Sequence, residues 1–471
     1  MTIDAIISKI NSIVWGPVFL ALLVGTGVYL SVRVGFIQFS KFGYVMKHSL
    51  GRIFEKTKTN DGEVTPFQAL TTALSATVGT GNIAGVTGAI AIGGPGAVFW
   101  MWISAIFGMV TKYSEVFLAV KYREKNAEGD WVGGPMYYIK NGLGKSFKWL
   151  GVLFCLFGGL AAFGIGNMTQ VNTIADAVNT VLHSYNINIG TFVLMGKEVP
   201  VSSLIVGIIV SLLIGLVLFG GIKRIGKVAE LLVPIMSLIY IACALIVVFA
   251  NIGHLSTIFS LIFKGAFSAQ AAVGGAVGIT IMETIKRGVG RGVFSNEAGL
   301  GSAPMGHAST SETNPVKQGL YGIFEVFADT LVICTLTAVV LLCGYCNGVA
   351  ISWGESAGAE LISASFSMTM GSHLGSIVIA VCIALFAFST ILSWALYGTR
   401  CCEFILGVKS IRWYQIIFLI LIVLGACMKI GLVWDIADAL NGLMIVPNII
   451  ALLSLSPIII KETRNYFRTE E

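Results

Sequence analysis

The sequence predicts an all-α integral membrane protein with 11 transmembrane helices: two inverted five-helix units behind one extra N-terminal helix. Three observations predict it. The 471 residues are 56% hydrophobic and only 11% charged, against about 25% charged in an average soluble domain, and the mean hydropathy is +0.86. The apolar residues gather into eleven runs at or above the ~20 residues that cross a bilayer. The basic residues between these runs segregate to alternate loops.

The first run, near 13–34, stands apart. With KFGYVMKHSLGRIF (41–54), which reads as a basic amphipathic segment for the inner membrane face, it forms an N-terminal unit, 1–65. MTIDAIISKINSIVW lacks a basic start and a small-residue cleavage site, so it reads as mature sequence. Runs near 66–92, 96–120, 147–182, 200–221 and 226–250 make the first five-helix unit, 66–250. Runs near 269–288, 315–345, 374–400, 411–428 and 431–459 make the second, 251–460, before a tail at 461–471. Five is odd, so the two units cross the membrane in opposite senses.

Charge placement supports the count. Loops on one face carry twenty-four basic residues, within 33–58, 121–148, 223–227, 286–291, 400–412 and 461–468, while the other face holds Lys9, Lys197, Lys264 and Lys429. The positive-inside rule then puts the C-terminus in the cytoplasm and the N-terminus outside. The net charge of +6 reflects this bias, not nucleic-acid binding. Enzyme signatures are missing: there is no HExxH, no GxSxG and no Walker motif. The nine cysteines form no disulfide framework, and the Cys343/Cys346 spacing has no companion pair or histidine cluster to make a metal site.

SATVGTGNIAG (75–85) weakens its own helix. Thr65-Pro66 is a good helix start, but Gly79 and Gly81 each cost about 1 kcal/mol in a helix interior. Freed backbone groups are tolerated in lipid only where they line a cavity or meet partners, although glycines also serve plain helix packing. A second cluster, Gly274, Gly275 and Gly278, opens the other unit. Interrupted first helices in two inverted halves point to a transporter's central site. There, freed amides favour a carboxylate and freed carbonyls a cation.

The chain resembles the alanine or glycine:cation symporters, the sodium:alanine symporter family. The resemblance is carried by TALSATVGTGNIAGVTGAIAIGGPGAVFWMW (72–102), GGPMYYI (133–139) and GVGRGVFSNEAGLGSAPMGHA (288–308) and runs over nearly the whole chain. It implies the leucine-transporter (LeuT-like) 5+5 inverted repeat with one extra N-terminal helix. It also implies sodium as the co-transported ion and alanine or glycine as substrate. Ser75 and Val78 would then give carbonyl ligands to Na⁺, completed by Phe386, Ser389 and Thr390 on the ninth span. The amides of Gly79, Thr80 and Gly81, with Asn82, would meet the substrate carboxylate, and Gly274 and Gly275 would supply the second break.

Without the resemblance, Ser389 and Thr390 equally fit hydroxyls bonded to their own preceding turn. On the fourth span Asn167, Gln170, Thr173 and Asp176 form a polar stripe facing a cavity or another helix. Gln170 is the expected substrate contact, with Asn167 next. Phe163, Phe267, Met282, Phe366, Phe386 and Trp394 are candidate pocket walls. Glu283 either meets the substrate ammonium or pairs with Lys286 or Arg287. Structural pairing is expected of Lys112, Glu115, Glu325 and Asp329. NEAGLGSAPMGHA (296–308) reads by itself as a flexible glycine-rich cytoplasmic loop; the resemblance implies an inner gate there, in which Glu297 and His307 would make switching pairs. The expected protein carries substrate and sodium through the lipid bilayer as a monomer. Proton coupling through Asp176 or Glu283, or a channel or sensor on the same scaffold, are the alternatives.

Overall fold

The computed structural model describes residues 3–51, 59, 62–194, 196–268, 279–428 and 431–470. Helices dominate. Among the described residues the strands form two antiparallel hairpins, β1 (Glu124–Lys125) with β2 (Trp131–Val132), and β3 (Thr191–Leu194) with β4 (Lys197–Pro200). Helices α1 (Ile3–Val14) and α2 (Pro17–Val34) lead in, and α3 (Phe42–Leu50) is the short basic helix expected after them. One interrupted span follows as α4 (Pro66–Thr77) and α5 (Gly81–Gly93).

The next long helices are α6 (Ala97–Lys121), α7 (Lys145–Ser184), α8 (Val201–Leu218) and α9 (Gly221–Ala250). Then come α10 (Leu255–Phe267), α11 (Ile281–Asn296), α12 (Pro304–His307) and α13 (Pro315–Cys346). The chain closes with α14 (Ala359–Met370), α15 (Ser372–Leu406), α16 (Ile411–Cys427) and α17 (Gly431–Glu470).

Nine helices among the described residues are long and apolar enough to cross a membrane. The 66–92 run falls short of that measure because it is two pieces. Half of the 269–288 run, residues 269–278, lies outside the described residues, and Gly274 and Gly275 with it. The most enclosed helix is α6, packed by α2, α11 and α13. Small residues make this possible: Gly319 and Gly322 of α13 lie against Tyr113 and Lys112 of α6, and Gly108 of α6 lies against Ala298.

Two expectations are corrected. Lys286, Arg287 and Arg291 do not lie in a loop between spans. They lie within α11 and line a cavity shared with Ser8, Asn11 and Asp435. A helix bordering a polar cavity tolerates cations on that side, and Arg287 Nε is paired with Glu283 Oε1 at 2.5 Å. Nor is NEAGLGSAPMGHA an open loop, since residues 295–310 are buried throughout. Helix α11 ends at Glu297 in the left-handed conformation (φ 55°), and α12 resumes at Pro304. Gly299 (φ 92°) and Gly301 (φ 81°) carry the chain between them, a path that favours glycine. A further, unanticipated interruption therefore exists at 297–303, inside the protein; the one expected at Gly274 and Gly275 lies outside the described residues.

A helix break facing a polar cavity

The capping box that starts α4 is complete: Gln68 N donates to Thr65 Oγ1 and Thr65 N to Gln68 Oε1, both at 3.1 Å. The helix opens at Val78 (ψ 87°), and α5 begins as one wide π-type turn, Gly81–Gly85. Gly79 has a steric reason. A Cβ there would stand 2.5 Å from Thr390 Oγ1 of α15, closer than atoms can pack, so only glycine lets α15 approach the break.

That approach gathers oxygens. Ser389 Oγ lies 3.2 Å from the Ser75 carbonyl and 2.8 Å from that of Phe386. Thr390 Oγ1 donates to Ala76 O at 3.4 Å, and Ser393 Oγ to Thr72 O at 2.7 Å. Ser75 Oγ also meets Ser393 Oγ. Thus Ser75, Phe386, Ser389 and Thr390 converge beside Val78, where α4 ends. The hydroxyls of α15 reach across to α4 as well as back to their own turn. Ala76, Thr72 and Ser393 were not anticipated. The spacing held a signal, since Ser393 lies one turn after Ser389 and Ser75 nearly one turn after Thr72. The donors are neutral hard oxygens, which suit an alkali cation rather than a transition metal. Among the described residues no three His, Cys, Asp or Glu come together as metal ligands.

On the other side of the break lies a cavity of about 850 Å³, lined in part by Thr80, Gly81, Gln170, Thr173 and Asp176. The wide turn Gly164–Met168 in α7 leaves the Ile165 carbonyl to side chains, as such turns do. Gln170 Nε2 donates to it at 2.9 Å, and Gln170 Oε1 accepts from Thr80 Oγ1 at 3.0 Å. Gln170 thereby ties α7 to the break. The amides of Thr80 and Gly81 have no acceptor among the described residues.

Other expected contacts are spent inside the protein. Gly79 N donates to Asn82 Oδ1 at 2.9 Å, so this amide is already capped. Asn82 Nδ2 donates to Asp329 Oδ1 at 2.6 Å, and Thr330 carries the chain of bonds on to Asn296 of α11. Asp329 ties the two interrupted elements together, a role its position in an apolar run did not reveal. Asn167 Nδ2 donates to Phe418 O of α16 at 2.7 Å and does not line the cavity. None of the six expected wall residues lines it either. Phe163 stacks on Tyr414, Phe267 and Met282 are exposed, Phe366 and Phe386 pack with Tyr240, and Trp394 donates to Glu297. The bulky groups present are Trp15, Phe294 and Trp434.

Residues 1–471 match the sodium:alanine symporter family from end to end. The chain belongs to that family. It is a multi-pass membrane protein and a sodium-coupled amino-acid transporter, not an enzyme. The sodium/alanine symporter AgcS of Methanococcus maripaludis is 43% identical over 470 residues, covering 99% of this chain and 98% of that one. The amino-acid carrier protein AlsT of Bacillus subtilis is 35% identical over 464 residues, covering 98% and 92%. Among solved structures, MhsT in complex with L-phenylalanine superposes with a TM-score of 0.58 at 12% identity, covering 86% of this chain and 99% of that one. That likeness is one of fold, the leucine-transporter fold.

In this symporter the interruption at 297–303 carries a buried polar network. Glu297 accepts from Trp394 Nε1 at 3.1 Å and from Ser302 Oγ at 2.5 Å. Glu325 pairs with both Lys112 and His307 at 3.2 Å, and His307 meets Gln318 at 2.9 Å. Glu115 accepts from Gly299 N at 3.0 Å and from Asn448. Arg123 closes the end of this segment, donating to the carbonyls of Ala308, Thr310 and Glu312 while its guanidinium lies 4.4 Å over Trp131.

Proposed function

We propose that this protein carries small neutral amino acids, alanine and glycine, together with Na⁺ by alternating access. The observation that carries this reading is the break at Val78–Gly81. Oxygens of Ser75, Phe386, Ser389 and Thr390 gather on one side of it. On the other, the free Thr80 and Gly81 amides border the cavity. Sodium would sit among those oxygens with the Val78 carbonyl, and the substrate carboxylate would meet the amides and Gln170. Because the ion's ligands come from both α4 and α15, its binding favours the state in which they are joined. Differential affinity of this kind is what couples ion to substrate.

The eleven spans and the five-plus-five inverted repeat belong to this proposal. So do an N-terminus outside, a cytoplasmic C-terminus and action as a monomer. The cavity then opens outward. A carboxylate gripped by backbone and a one-carbon side chain give little chiral leverage, so both alanine enantiomers are accepted.

The test is uptake of labelled alanine into proteoliposomes under an inward Na⁺ gradient, a matched K⁺ gradient and an inward proton gradient. Accumulation with Na⁺ alone, competed by both L- and D-alanine, is expected. Accumulation with protons alone would replace sodium by a proton carrier and direct attention to Asp176. No accumulation of alanine or glycine under any gradient would overturn the substrate reading.

A further inference from the structure

The cavity wall contains a guanidinium that the protein itself does not use. Arg291, on α11, makes no hydrogen bond or ion pair with any described residue. Its protein contact is the face of Phe294, 4.7 Å from the ring centre. Asp438, across the cavity on α17, is the carboxylate whose charge acts on it most, yet the two are not joined as a pair. Asp438 Oδ1 is itself buried without a hydrogen-bond partner. Arg291 is half-buried at the cavity wall, and a partly desolvated cation left unmatched is costly unless something completes it.

Its position says what would. The guanidinium lies against α5: a Cβ on Gly85 would stand 2.4 Å from Arg291 Nη1, and one on Gly81 would stand 3.9 Å from the same atom. Arg291 Nη1 is therefore within reach of an atom held by the Gly81 amide. The glycine at 85 is what lets the side chain lie there. A planar guanidinium matches a carboxylate by paired hydrogen bonds, which a lysine ammonium cannot reproduce.

We propose that Arg291 grips the carboxylate of the transported amino acid, opposite the amides of Thr80 and Gly81. This rests on the amino-acid reading above and adds to it. The anchor is charged rather than backbone alone, so the site rejects amino acids whose carboxyl group is neutralised. An amide offers the guanidinium no opposite charge, and that is what turns it away.

Binding of L-alanine and of L-alaninamide to the purified full-length protein in saturating Na⁺, by calorimetry, decides the matter. Wild type should bind alanine at least about tenfold more tightly than alaninamide, the scale of one hydrogen bond to a charged group. R291Q should lose about tenfold for alanine and leave alaninamide within twofold. R291K, which keeps the charge beside Asp438, should lose several-fold for alanine and again spare the amide; it decides the case if R291Q is not recovered folded. Equal losses for both ligands, or unchanged alanine binding in either variant, would overturn the role of Arg291 while leaving the amino-acid reading intact. A wild type that binds neither ligand would overturn both.

Discussion

At the scale of single residues, the proposed ion ligands drew attention because hydroxyls are rare and costly in an apolar helix. Ser389 and Thr390 stand out in ALFAFSTILSW for that reason. The structure places them against the carbonyls of Ser75 and Ala76. Replacing both by alanine should raise the sodium needed for half-maximal uptake by about tenfold or more; an unchanged sodium dependence would remove this site. Gln170→Ala removes the partner of Thr80 and should raise KM for alanine several-fold, about 1 kcal/mol, read from initial uptake rates. Asn82 was legible as important but not in its role. Its partner Asp329 is 247 residues away, and no local pattern joins them. The same holds for Arg291, which looked like the basic flank of a span.

At the scale of elements, the first interruption was legible because glycine both weakens a helix and permits close approach. The expected second break, at Gly274 and Gly275, lies outside the described residues. A further interruption at 297–303 was not anticipated, because Gly299 and Gly301 lay in a string that reads as a loop. What distinguishes that string is burial, which sequence does not display. The wide turn in α7 has a comparable hidden cause: Gly166 faces Trp394, with only 2.1 Å from a Cβ placed there to the Trp394 Cβ. Gly166→Ala should destabilise the protein by about 1–3 kcal/mol, seen as a lower melting temperature in detergent. Arg123 offers a test of the 308–312 segment. Burial pushes its guanidinium down to about 10, against the pull of Glu63 and Glu312. Its folded value is thus depressed, so stability rises with pH only between about pH 10 and the ordinary arginine value. From pH 6 to 9 it stays charged. Hydrogen exchange of the 308–312 amides should show no Arg123-dependent change in protection over that range, and Arg123→Gln should speed it about tenfold.

At the scale of the whole molecule, the all-helical, multi-pass character was legible, because the bilayer imposes a length and a hydropathy on every segment that crosses it. The cavity was not, since it is shared by α1, α5, α7, α11, α14, α15 and α17. Its exposure can be tested. Thr173→Cys, in a background freed of its nine native cysteines, should react with a membrane-impermeant thiol reagent added outside, and alanine with sodium should slow the reaction. Modification from the inside alone would reverse the proposed orientation. The Lys112–Glu325–His307 group lies outside the cavity lining, each member fully enclosed. Glu325→Gln strips Lys112 of its paired charge and should cost about 3 kcal/mol or more, measured by thermal unfolding.

The seam between α4 and α15 is sewn entirely with uncharged oxygens. Such a seam casts almost no field beyond its own width, so ions that merely crowd the solution have nothing there to screen. Raising ionic strength with choline chloride should therefore leave sodium affinity flat, whereas a carboxylate-lined site would weaken steadily. The transporter would read the sodium concentration and remain blind to salinity.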